Sequence, residues 1–149
     1  NAKNTIIEFM DYFCGYCKKV HPELLQIAKE RNDTRVIFLQ HPILSESSKL
    51  LANMVVSANM QGKGIEFHNA LFEVEGSLNN EKLNQIIEKL ELNSAKLSID
   101  VSKEEVSNIV KLSSFLANGS GARGTPTFYI NDEFVVGYIS IQRIKALLK

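Results

Sequence analysis

The chain has 149 residues, 44% of them apolar and 23% charged, which suits one globular domain with a sizeable core. Lys and Arg total 17, as do Asp and Glu, so charge gives no case for nucleic acid or an anionic membrane as the main partner. No apolar run approaches the ~20 residues of a membrane helix. No signal peptide precedes the first apolar run, so a removed leader is expected.

Residues 5–10 form a short, mostly apolar run that predicts a strand buried on both faces, interrupted by Glu8. Asp11, Tyr12 and Phe13 lead into Cys14-Gly15-Tyr16-Cys17. After them Cys17, Val20, Leu24, Ile27 and Ala28 recur at helical spacing. The cysteines therefore open a helix running to about residue 29. Pro22 should kink it, because proline removes a backbone donor. Residues 35–39 read as a second strand, ended by His41-Pro42. Strand, helix and strand at this spacing imply a right-handed βαβ unit with parallel strands.

From about residue 45 to 118 the pattern is helical. One stripe comprises Leu50, Leu51, Met54, Val55 and Ala58, a second Phe67, Ala70, Leu71 and Val74, and a third Leu83, Ile86, Ile87 and Leu90. Ser102 with Glu105 reads as a capping box that opens a last helix through Val106, Ile109, Val110 and Leu116, closed by Gly119. Residues 127–130 and 134–136 read as an antiparallel pair joined at Asn131-Asp132-Glu133, and Ile141, Ile144, Leu147 and Leu148 as a closing helix. The order is βαβ, a helical block, then ββα.

Cys14 and Cys17 are the only cysteines. As a staple they contribute little: so short a ring gives roughly 2 kcal/mol of loop-closure stabilisation, against about 3 for a 15-residue loop. The pair suits chemistry better. A thiolate attacks a disulfide and a thiol hardly does. Unpaired N–H groups and the dipole at a helix N-terminus favour an anion, and Cys14 sits there. Cys14 is thus the expected nucleophile, with a pKa of ~3.5–7.5, and Cys17, one turn further in, resolves the mixed disulfide. Each pKa unit below ambient pH stabilises the reduced state by about 1.4 kcal/mol, roughly 30 mV towards disulfide donation. Gly15 and Tyr16 should tune that value. Lys18 and Lys19 read as a solvated face. The competing use of Cys-x-x-Cys is half a zinc site, completed by His21, His41, His68 or a carboxylate. A βαβ context favours redox chemistry.

The strand at 6–9, Cys14-Gly15-Tyr16-Cys17 on a helix and Gly124-Thr125-Pro126-Thr127 before the last hairpin together resemble a thioredoxin-fold protein. The intervening helical block resembles the DsbA-like branch. Within it, the run from Asp11 to Cys17 and His41-Pro42-Ile43-Leu44 are most similar to Com1-type members. The resemblance implies an α/β thioredoxin fold, βαβ…ββα, with an inserted all-helical subdomain: residues 1–44, 45–118 and 119–149. It implies that Pro126 is a cis-proline facing the disulfide, and that Thr125 offers backbone groups to an extended substrate peptide. It places Glu8 as the buried acid beneath the active site, its pKa raised, accepting the Cys17 proton. Pro22 resembles the helix-kinking proline of thioredoxins.

The function so implied is a bacterial envelope dithiol oxidase that passes disulfides to cysteine-containing exported proteins and is reoxidised by a membrane or soluble redox partner. No cofactor beyond the Cys14–Cys17 disulfide, no metal and no nucleic acid is expected. Gly-Tyr between the cysteines differs from the Pro-His of the best-known oxidases and also occurs in disulfide isomerases. An isomerase or reductase is therefore one alternative, and a non-catalytic metal-binding or holdase module another.

Overall fold

A computed structural model describes all residues, Asn1–Lys149. Its centre is a four-stranded sheet in the order β2-β1-β3-β4. The apolar run at the N-terminus forms β1 (Asn4–Met10), which pairs in parallel with β2 (Thr34–Gln40) and antiparallel with β3 (Thr127–Ile130). The edge strand β4 (Glu133–Val136) returns from β3 through Asn131 and Asp132. Glu133 already belongs to β4, so the turn is tighter than the sequence suggested. Asn131 takes the left-handed conformation there, φ 53°, which asparagine tolerates.

Alternation along β1 sends Ile6, Glu8 and Met10 to one face of the sheet and Ile7 and Phe9 to the other. On the first face, helices α1 (Gly15–Glu30) and α7 (Ile141–Leu147) close a core of Ile6, Val20, Leu24, Ile27, Phe128, Ile130, Ile139 and Ile144. On the second, Phe9 packs with Ala117 and Ala122. α1 continues through Pro22 to Glu30.

Between β2 and β3 lie five helices: α2 (Glu46–Met60), α3 (Gly64–Glu73), α4 (Asn80–Lys89), α5 (Ser94–Asp100) and α6 (Glu104–Gly119). α2 to α5 enclose their own core around Leu51, Val55, Phe67, Leu71, Ile86 and Leu97. None of the helices is long and apolar enough to cross a membrane.

Two local expectations fail here. Ser102 does not cap α6; Lys103 holds the N-cap position, with no side-chain cap. The cause is α5, capped by Asn93, whose exit turn uses the Ser102 and Lys103 amides on Ile99 and Asp100. The inward face of α6 is Val106, Val110, Ser113 and Ala117, which leaves Ile109 50% exposed and Leu116 46% exposed.

Candidate active site

The site forms where β1 gives way to α1. Past Met10 the Asp11 carboxylate accepts the Phe13 amide at 2.9 Å, an Asx-type turn that ends the strand. The Cys14 amide donates to the Asp11 carbonyl at 3.0 Å. Cys14 is extended, φ −82° and ψ 117°, and is the N-cap of α1: its sulfur accepts the Cys17 amide at 3.3 Å. An N-cap sulfur thus meets one of the N–H groups that a helix start leaves without a partner. Both cysteines are free thiols, Cys14 8% exposed and Cys17 fully buried.

From the far end of the chain, the loop before β3 closes over this N-terminus. The Thr125–Pro126 peptide bond is cis, and the Cys14 thiol donates to the Thr125 carbonyl at 3.3 Å. Glu8, two residues before the end of β1, is fully buried, and neither carboxyl oxygen has a hydrogen-bond partner. Gly15 begins α1 with open space where a Cβ would lie, and Tyr16 stands 60% exposed with its ring 6.0 Å from Tyr138. Of the residues singled out in the sequence, Cys14, Cys17, Gly15, Tyr16 and Thr125 are thus gathered at one place. Glu8 joins them electrostatically from the sheet beneath.

The electrostatics separate the two thiols. Hydrogen bonding with the Cys17 thiol, aided by the Thr125 side chain and the Cys17 and Tyr16 backbone, lowers Cys14 from 9.0 to about 6 against the effect of burial. The same bond, burial and the Glu8 charge push Cys17 up. Burial, then the Cys14 charge, raises the Glu8 carboxyl well above its usual range. The negative charge of the cysteine pair therefore settles on Cys14 and not on Cys17.

Asp11 is a site residue that sequence reasoning missed as such. Its second carboxylate oxygen accepts the Ile43 and Leu44 amides, each at 3.0 Å, and its first also takes the Ser48 hydroxyl at 2.8 Å. The buried carboxylate thereby ties the approach to Cys14 to the β2–α2 loop and the start of α2. The Asx turn onto Phe13 has a local signal in the sequence; the bonds to Ile43, Leu44 and Ser48 have none.

Each histidine that a zinc site would draw on has one ring nitrogen in contact with another partner and the other buried without one. His21 Nε2 is 2.9 Å from the Asn69 carboxamide, His41 Nε2 3.0 Å from the Ala122 carbonyl, and the Tyr12 hydroxyl 2.7 Å from His68 Nδ1. Burial, and secondarily His21, lowers His68 to about 3. No group of three or more His, Cys, Asp or Glu side chains is arranged to hold a metal ion. Lys18 is not simply solvated: its ammonium donates to the Val74 carbonyl.

Comparison with known proteins agrees with this arrangement. The family model described as Thioredoxin matches residues 1–149. A thioredoxin-like oxidoreductase from Silicibacter pomeroyi superposes with a TM-score of 0.90 at 29% identity, covering 98% of this chain and 84% of that one. Disulfide bond formation protein D of Bacillus subtilis is 24% identical over 163 residues, 100% of this chain and 72% of that protein. The Na(+)/H(+) antiporter NhaA 3 of Salinispora tropica is 22% identical over 147 residues, 97% of this chain, of which the match spans only 22% of the antiporter's length.

Proposed function

The chain belongs to the thioredoxin family, and from that premise we propose that it is a thiol–disulfide oxidoreductase working through Cys14 and Cys17 as a donor of disulfides. The observation that carries this reading is the asymmetry of the pair: Cys14, N-capping α1 and lowered to about 6, beside Cys17, buried and raised. At pH 7 a thiol that titrates about one unit lower stabilises the reduced pair by roughly 1.4 kcal/mol, or ~30 mV towards donation, relative to one that stays protonated.

The reaction starts with Cys14 and Cys17 joined. A substrate thiolate attacks the Cys14 sulfur, a mixed disulfide forms, and the sulfur of Cys17 leaves and takes up a proton. A second substrate thiolate then attacks the substrate sulfur of the mixed disulfide and expels Cys14 as a thiolate, a good leaving group because its pKa is low. Two electrons pass from the substrate dithiol to the cysteine pair. Reoxidation runs the steps backwards: Cys14 attacks the partner's disulfide, and Cys17, its proton drawn off towards Glu8, resolves the mixed species. Thr125 offers its carbonyl beside Cys14 to an extended peptide, as in strand addition.

Substrates on this reading are cysteine-containing exported proteins, reoxidation falls to a membrane or soluble redox partner, and the site is an oxidising compartment of the bacterial envelope, where a disulfide donor can persist. Equilibration with glutathione buffers tests the donor direction. A potential above about −200 mV supports it, and a value near the −270 mV or so of thioredoxin removes it.

A further inference from the structure

We propose that the cleft beside Cys14 is a side-chain pocket selecting cysteine peptides with an apolar residue next to the reacting cysteine and an acidic residue beside that. The proposal rests on the exchange reading and adds a substrate class to it. The cleft encloses about 230 Å³. That is under the roughly 300 Å³ at which pockets for whole small ligands begin, and it suits one or two side chains. Cys14 and Phe13 form one side; Leu71, Val74 and Leu78, from α3 and the segment leading to α4, form the other. Cys14 itself lines the cleft, so the neighbour of a cysteine joined to Cys14, one residue or about 3.3–3.6 Å of extended chain away, can enter it.

Lys18 gives the cleft its charge. It stands one turn after Cys14, and its ammonium donates to the Val74 carbonyl. No carboxylate lines the cleft, and Lys18 has no ion-pair partner. An ammonium carries three donors, so those not used on Val74 can meet a substrate carboxylate at the rim. A peptide with apolar neighbours alone would leave that charge unanswered, and a basic one would oppose it.

The test is a set of four single-cysteine peptides whose neighbours are Leu-Glu, Leu-Gln, Ala-Glu or Ala-Gln. Each is reacted with the oxidised full chain and followed by the rate of mixed-disulfide formation. Leucine should exceed alanine about tenfold, since its partial burial is worth about 1.4 kcal/mol. Glutamate should exceed glutamine about threefold at low salt and lose the advantage at high salt. In Lys18→Gln the glutamate preference should vanish while the leucine preference stays; in Leu78→Ala the leucine preference should shrink. Leucine and alanine peptides reacting alike, or a glutamate preference that survives Lys18→Gln, overturns the proposal. So does an equal slowing of all four peptides in Lys18→Gln, because that places the lysine's effect on the Cys14 sulfur alone. Glutathione reacting faster than every peptide assigns the cleft to a small thiol and likewise overturns it. Failure to react with any thiol would instead strike the exchange reading itself.

Discussion

The sulfur of Cys14 lies 3.3 Å from the carbonyl oxygen of Thr125, a residue 111 positions further along the chain. The sheet brings them together. β3 pairs antiparallel with β1, with Phe9 opposite Thr127, so the residues before Thr127 and those after Phe9 emerge at the same end. The reactive sulfur and a backbone acceptor therefore share one end of the sheet, and on the proposed reading a substrate held along Thr125 would present its cysteine to Cys14.

The reduced chain should show a thiolate absorbance that titrates with a midpoint of about 6 and disappears in Cys14→Ser. The sign of its effect on stability follows. A thiol lowered by folding contributes stability that is full above the ordinary value of 9.0 and is lost as pH falls through about 6. The gap in urea midpoint between the reduced chain and Cys14→Ser should therefore widen from pH 5 to pH 9. A gap that narrows contradicts the assignment.

Cys17→Ala should raise the Cys14 titration towards 9.0, because the Cys17 thiol is the largest influence holding it down. The same variant should accumulate mixed disulfides with reducible partners, having no resolving sulfur. Mass spectrometry of the trapped adducts checks the second outcome. An unmoved Cys14 midpoint would show that the backbone, and not Cys17, sets it.

Glu8→Gln should stabilise the fold at alkaline pH. A carboxyl raised by burial favours the fold fully below its ordinary value of 4.5, and that contribution is lost as pH climbs through the raised value. At pH 8 the variant should exceed the native chain by at least about 1 kcal/mol, and the two should converge near pH 4. Reoxidation should slow by about tenfold or more, since the Cys17 proton loses its acceptor. Equal midpoints at both pH values count against a buried, partnerless carboxylate.

Asp11→Ala should cost about 3–5 kcal/mol, because it strands the Phe13, Ile43 and Leu44 amides together with the Ser48 hydroxyl. Ser48→Ala, which removes a single bond, should cost about 1 kcal/mol. Denaturant melts of the two variants measure both. A similar, small loss in each would mean that the carboxylate does not brace the loop.

Local order in the sequence determined the strand leading to Cys14, the helix that starts there, the order of the two halves around a helical block, and the Cys-x-x-Cys chemistry. These depend on periodicity and on residues within a turn of one another, which one stretch of chain already contains. Even there α6 kept its place but not its orientation: Ile109 and Leu116 have the spacing of a core stripe, yet smaller Ser113 and Ala117 face inward. Which face of an apolar helix is buried depends on the size of the space that other elements leave, here the contact of Ala117 with Phe9. The nearness of Thr125 to the Cys14 sulfur and the burial of Glu8 were legible only through the family resemblance, and tertiary structure alone decided the rest: the Asp11 carboxylate spanning two loops, and Lys18 turned onto Val74. Each depends on a burial or a contact between segments far apart in the chain, and such a contact is fixed only when the sheet has paired and excluded water from between them.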